Sequence, residues 1–113
     1  MIDENYYIKK NASLDDAIIK MNLNKIGFLA IVDNEFKLVG ILTDSDLRTA
    51  FLEKKIDLLE IINKNPKKMT DNIPKEKVLS ELKQSYLRHM PIVNNKNVLV
   101  NVIVLANEQR KFK

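Results

Sequence analysis

Cysteine and tryptophan are absent from this chain of 113 residues, glycine occurs twice, proline three times and histidine once. Without cysteine there is no disulfide, no thiolate nucleophile and no sulfur-ligated metal site, which fits a reducing compartment. The two glycines, Gly27 and Gly40, are too few for a glycine-rich phosphate loop or a nucleophile elbow, and a single histidine leaves no clustered metal ligands. No apolar run is long enough to cross a bilayer, and the N-terminal MIDENYYIKK has an acidic start and no apolar run, unlike a signal peptide. An enzyme in its own right is therefore a poor reading, and a cytoplasmic location is the default.

What remains is ordinary globular material, 45% hydrophobic and 30% charged, with a net charge of +4. That balance excludes disorder and is enough for one core, in which a chain of this size buries roughly two-thirds of its unfolded surface. The charge is unevenly spread. Residues 1–60 carry 8 Lys and Arg against 11 Asp and Glu, whereas 61–113 carry 11 against 4. A basic half is a candidate surface for nucleic acid or another polyanion, but its lysines are scattered without interleaved aromatics. A solvated face is the better reading.

Shifting the chain by 61 residues lays GFLAIVDNEFKLVG (27–40) on RHMPIVNNKNVLVN (88–101) without a gap, and five of the fourteen positions are identical. The chain is written twice. In the first copy Ser13 and Asp16 form a capping-box variant ahead of Leu14, Ala17, Ile18 and Met21 at helical spacing. FLAIVD and KLVGIL follow as strands around the turn NEF, and a helix from about Thr43 to Lys54 carries Leu47, Ala50 and Phe51 on one face. In the second copy Pro74 suits a first helical turn, and Val78, Leu79, Leu82 and Tyr86 form the stripe. MPIVN and VLVNVIVL are its strands, the latter expected to be buried on both faces, while ANEQRKFK barely makes a closing helix. Between the copies, Leu58, Leu59, Ile61 and Ile62 anchor a connector that turns at NKNP. The expected architecture is α+β: two pseudo-symmetric halves, 1–60 with the linker and 61–113, each a small sheet packed against two helices. One copy of about 60 residues is marginal alone, so the halves should share a core and enclose a cleft.

Chemistry concentrates in VGILTDSDLR, residues 39–48. Thr43 and Asp46 are spaced as N-cap and N3 of a capping box, worth about 1 kcal/mol. The same helix start exposes amides that attract phosphate, so the pair serves as a cap, a ligand site or both. Its counterpart, VNVIVLANEQ, keeps the strand but drops the threonine and the aspartate. The repeat folds without them, which favours a ligand as their purpose.

An apolar strand pair closed by Gly40-Ile41-Leu42-Thr43-Asp44-Ser45-Asp46, within a tandem repeat and followed by NKNP and RHMPIV, resembles the CBS-domain pair, or Bateman module, over residues 5–107. The resemblance implies two halves around a pseudo-twofold axis with two clefts between them, commonly assembled into a disk-like homodimer. It also implies a regulatory role without chemistry of its own: binding an adenosine ligand such as AMP, ADP, ATP or S-adenosylmethionine and passing that state to an attached enzyme. TDSDLRTAFLEKKIDLLEIINKNPKK is similar to pairs attached to sugar-phosphate nucleotidyltransferases or isomerases. The eroded second motif and short tail favour the former, with the catalytic domain beyond Lys113.

On that resemblance the Asp46 carboxylate accepts from two ribose hydroxyls and Thr43 donates to a ribose or phosphate oxygen. Arg48 is a phosphate partner or a solvated arginine, and Gly40 permits close approach of the base or marks a bulge. The adenine face falls to Ile8–Asn11, Lys10 among them, and to Ala30, small where the second copy has Pro91. Arg88 and His89 are phosphate-binding side chains from across the cleft or structural residues. Asn101, Val104 and Asn107 replace Gly, Thr and Asp in the second copy, which implies one competent cleft and one vacant or structural one. Ser45 stands where close relatives often have Gly. A structural, non-binding dimerisation module is the alternative, and nucleic-acid binding is weaker than either.

Overall fold

The computed structural model describes residues 2–110, with side chains characterised through Asn107. A 3-10 turn, Glu4–Tyr6, leads into β1 (Tyr7–Lys9), α1 (Leu14–Asn24), β2 (Phe28–Val32), β3 (Leu38–Thr43) and α2 (Asp44–Glu53). The connector holds a single turn, α3 (Leu58–Ile61), after which β4 (Met69–Thr70), α4 (Lys75–Gln84), β5 (His89–Val93), β6 (Leu99–Val104) and α5 (Leu105–Arg110) repeat the order. Each half is a three-stranded sheet with the middle strand parallel to the first and antiparallel to the third. The mixed α/β fold with two small sheets is the one anticipated, with a short leading strand added to each half.

The correspondence extends to backbone irregularities. A bulge interrupts the register at Ile31/Val32 and again at Ile92/Val93. Asp33 Oδ1 accepts the amides of Glu35 and Lys37, and Asn94 Oδ1 those of Lys96 and Val98. These Asx turns precede Phe36 and Asn97, both at φ 65°, so aspartate and asparagine do the same work at the two hairpins. The halves meet there: Leu38 N donates to Asn97 O, and Leu99 N to Phe36 O. Exchanging the halves exchanges the two bonds, which is what a pseudo-twofold axis between the hairpins requires.

Alternation along the middle strands distributes the core. Leu29 and Ile31 turn outward from the axis and pack with Ala17, Met21, Leu42, Ala50 and the connector's Leu58, Ile61 and Ile62. Phe28, Ala30 and Val32 face the other half and pack with Val93, Leu99, Val102 and Val104. The shared core contains residues of both copies. In β3 the bulge puts Leu38 and Ile41 on the same face instead of opposite faces, and Leu99 and Val102 repeat this.

Four expectations need correction. Phe51 is 83% exposed and Tyr86 94% exposed, so neither belongs to the apolar stripe assigned to it. Tyr86 lies beyond the end of α4 at φ 55°, where the chain has left helical geometry, and Phe51 lies on the solvent side of α2. Pro74 is the N-cap of α4, one position ahead of its first turn. In β6, Val100 and Asn101 are exposed, because nothing among the described residues covers them as the connector covers Val39 and Gly40. Pro91 also leaves its mark. It cannot donate to a neighbouring strand, and β4 has two residues where β1 has three, pairing only with Ile92 and Val93.

Candidate functional site

The first motif begins α2 with a complete capping box. Thr43 Oγ1 accepts the Asp46 amide at 3.4 Å, while Asp46 Oδ2 accepts both the Thr43 amide and the Thr43 hydroxyl at 2.9 Å. One carboxylate oxygen thus satisfies the cap. Oδ1 has no hydrogen-bond donor among the described residues, and both side chains are half-buried. A half-exposed carboxylate with one uncommitted oxygen, at the start of a helix of ten residues, can accept from a ligand without dismantling the cap.

Thr43 stands opposite Phe28 in the β2–β3 register, and the Phe28 ring stacks on His89 with centroids 4.9 Å apart and planes at 23°. His89 in turn pairs with Val104. The two motifs are therefore joined through two stacked rings at the boundary between the halves. Burial holds the His89 imidazole below its ordinary pKa; the Ile26 main chain opposes that shift, Arg88 adds to it and Asp44 opposes it. The charge of Asp44, the first residue of α2, thus reaches His89. Its amide donates to Gly27 O at 3.3 Å, and a Cβ on Gly27, which sits at φ 67°, would lie 2.6 Å from Asp44 Oδ2. Gly27 keeps this approach open.

A cleft of about 600 Å³ opens over the second motif, and its walls include Tyr6, Lys25, Arg88, His89, Val104 and Asn107. Arg88 O accepts the Leu105 amide at 2.9 Å, and Asn107 Nδ2 donates to the Tyr6 hydroxyl at 3.2 Å across the mouth. The cleft is cationic, with Lys25 and Arg88 against no carboxylate among the described residues of its lining.

The sequence-derived residues therefore divide. Thr43 and Asp46 are together, and Phe28, opposite Thr43 and stacked on His89, links them to His89. Arg88 and His89 line the cleft of Val104 and Asn107. Arg48 is exposed on α2 beside Leu47, Phe51 and Leu52. Lys10 is exposed, its amide donates to Val32 O, and its charge acts on Asp33. It sits at the hairpin end of β2, a strand's length from Thr43. Ala30 is wholly buried in the shared core. The close approach at Gly40 is taken by the connector: a Cβ there would lie 2.6 Å from Asn63 O and 2.9 Å from Ile62 Cδ1. That packing accounts for the glycine at Gly40. Sequence reasoning missed Tyr6, Lys25 and Asp44. The 61-residue shift was the available signal, since it places His89 on Phe28 and Arg88 on Gly27, in the cleft of their own copy's motif.

Among the described residues no helix is long and apolar enough to cross a membrane, and no group of three or more His, Cys, Asp or Glu is placed to hold a metal ion. The family model for the CBS domain matches residues 1–53. A CBS domain-containing protein of Dictyostelium discoideum is 30% identical over 116 residues, covering 90% of this chain and 80% of that protein. The crystal structure of the CBS domain pair of protein MJ0100, in complex with 5-methylthioadenosine and S-adenosyl-L-methionine, aligns with TM-score 0.80 and 25% identity over 94% of this chain and 86% of that one. CBSX2 in complex with AMP aligns with TM-score 0.84 and 21% identity, over 99% and 90%. Three other curated relatives are longer, and the chain spans 32%, 65% and 21% of their lengths. With two halves related by a 61-residue repeat, a shared core and this match, the chain belongs to the CBS-domain family and has the fold of a CBS-domain pair.

Proposed function

We propose that this chain is a regulatory module that binds an adenosine ligand, AMP, ADP, ATP or S-adenosylmethionine, in the cleft of the first motif. The observation that carries the reading is Asp46. Its half-exposed carboxylate keeps Oδ1 uncommitted beside a complete cap, and the parallel second half, which folds alike, has Asn107 in its place. Asp46 would receive the ribose hydroxyls, a pair of donors that suits a carboxylate better than an amide. Thr43 would offer its hydroxyl oxygen as an acceptor, its proton being held by Asp46 Oδ2, and His89, stacked on Phe28 at the boundary, would meet the phosphate end. Complexes of the related pairs with AMP and with S-adenosyl-L-methionine support this class of ligand. The second cleft, rich in cations but without the aspartate, would take a phosphate-bearing group or remain structural.

Residues 1–60 and 61–113 are the two functional units on this reading, acting on a catalytic domain in the same polypeptide. The similarity of the TDSDLR helix and the Leu-rich connector to pairs on sugar-phosphate enzymes supports a nucleotidyltransferase as that domain. A homodimer through the helical face is a second reading of the module's role, favoured by Ile19, Leu23, Phe51, Leu52 and Ile56, apolar side chains that are all more than half exposed.

Calorimetric titration of the chain with each of the four ligands, repeated with Asp46→Ala, tests the proposal. Saturable binding that the substitution weakens at least about tenfold, 1.4 kcal/mol, is expected. Absence of binding to the wild type, or equal binding by the variant, overturns the site, and a dimer indifferent to nucleotide then leaves the structural reading.

A further inference from the structure

Resting on the adenosine reading of the first cleft, we propose that Tyr86, carried by the second half, is the residue that recognises the ligand's base. Its ring stacks on the purine from across the boundary between the halves, while Asp46 holds the ribose.

The pseudo-twofold axis places Tyr86 there. Two contacts join residues that the 61-residue shift exchanges, the bridge between Lys37 and Val98 and the stack of Phe28 on His89, so both straddle the axis. On either side of that stack, the bond from the Leu105 amide to Arg88 O is repeated by the bond from the Asp44 amide to Gly27 O. The surroundings of the two motifs are thus related by one operation. It takes Val104 and Asn107, in the cleft of about 600 Å³, to Thr43 and Asp46, and it takes Lys25, which lines that cleft from the first half, to Tyr86. Lys25 and Tyr86 share a left-handed backbone at φ 59° and 55°, so each side chain leaves the end of its helix in the same way.

Local preference does not account for a tyrosine at this position. A left-handed residue just past a helix is where glycine is favoured, and a bulky side chain is strained there. Tyr86 is 94% exposed, and its ring and hydroxyl have no partner among the described residues. The chain bears both the strain and the bare aromatic surface, and a flat base supplies the contact that is missing. The two clefts also distribute their groups oppositely. In the second, the aromatic wall is Tyr6, whose hydroxyl is engaged by Asn107 across the mouth. In the first, the counterpart of Tyr6 is Lys67, held by Glu81 Oε2 at 2.6 Å and by Ser85 Oγ at 3.3 Å, and the free group is the Tyr86 ring. Stacking accepts any base with a large π-face, so the class of ligand selected is a purine nucleoside.

Proton NMR of the full chain, titrated in turn with AMP, ADP, ATP and S-adenosylmethionine and then with ribose 5-phosphate, which lacks a base, provides the test. With a purine ligand that binds, the Tyr86 ring signals are expected to move upfield and to show Overhauser contacts to the purine protons. With ribose 5-phosphate they should stay in place. Tyr86→Gly should raise the thermal midpoint, because it relieves the left-handed strain, and yet weaken the purine ligand by about tenfold. Tyr86→Phe should bind within about twofold of wild type. A purely structural Tyr86 does not produce this opposition of stability and affinity. Binding that Asp46→Ala weakens and Tyr86→Gly leaves unchanged, or a Tyr86 ring silent to a bound purine, overturns the proposal and leaves the cleft reading standing. Failure of all four purine ligands to bind the wild type overturns both.

Discussion

Asp46 does two jobs with two oxygens, and they can be separated. Asp46→Asn retains an acceptor for the Thr43 amide, so we expect it to lose less stability than Asp46→Ala, whose cost is about 1 kcal/mol for the cap, read as the shift in urea midpoint. Ligand affinity should fall in both, because the single amide oxygen of asparagine is taken by the cap and leaves no acceptor for the ribose hydroxyls. His89 supplies the pH dependence. Its pKa is lowered in the folded chain, chiefly by burial, so the unfolded chain binds more protons below pH about 6.5, and acidification through that value costs stability. Thermal melts between pH 7.5 and 5.5 should show a falling midpoint, with a smaller fall in His89→Gln. Over the same interval a phosphate-bearing ligand at the boundary should bind more tightly to wild type, since charging the imidazole there favours an anion.

The connector decides the behaviour of the first half's outer face as an element. It contributes Leu58, Ile61 and Ile62, each less than a tenth exposed, and it bridges to β3 through Asn63. A methyl group at Gly40 pushes directly on the connector's backbone, a contact with no flexible side chain to yield. Gly40→Ala should therefore cost about 1–3 kcal/mol, the usual price of overpacking. At the equivalent position Asn101→Ala meets no connector among the described residues, so its cost is confined to the lost bond from the Val102 amide to Asn101 Oδ1, about 0.5–1 kcal/mol. Chemical denaturation of the two variants measures the contrast. Ile62→Ala, which opens a cavity beneath the same contact, belongs in the range of about 2–5 kcal/mol.

On the scale of the whole molecule, the two halves are not independent. The cluster of Phe28, Ala30, Val32, Leu38, Val93, Leu99, Val102 and Val104 draws on both, and the hairpins exchange main-chain bonds through Leu38 and Leu99. A fragment of residues 1–65 exposes that face and loses those bonds. At this size it buries too little to fold alone, and circular dichroism should show it without a cooperative transition. Mixing it with a 66–113 fragment should restore one if the shared core is the main adhesive.

The repeat, the order of elements, the Thr43–Asp46 cap and the anchored connector were legible from residues alone. Each is encoded locally, in hydrophobic period, capping chemistry and turn residues, and the 61-residue register needs no knowledge of contacts. Tertiary structure alone decided which cleft each residue faces. Arg88 and His89 line the cleft of Val104 and Asn107, Lys10 is carried to the hairpin end of β2, Ala30 is sealed in the core, and Gly40 is committed to Asn63. None of this is encoded in spacing, because a strand's direction and a half's rotation about the pseudo-twofold axis are set by long-range burial. The same reason applies to Phe51 and Tyr86: a period shows that a residue has a face, and only packing shows whether anything lies against it.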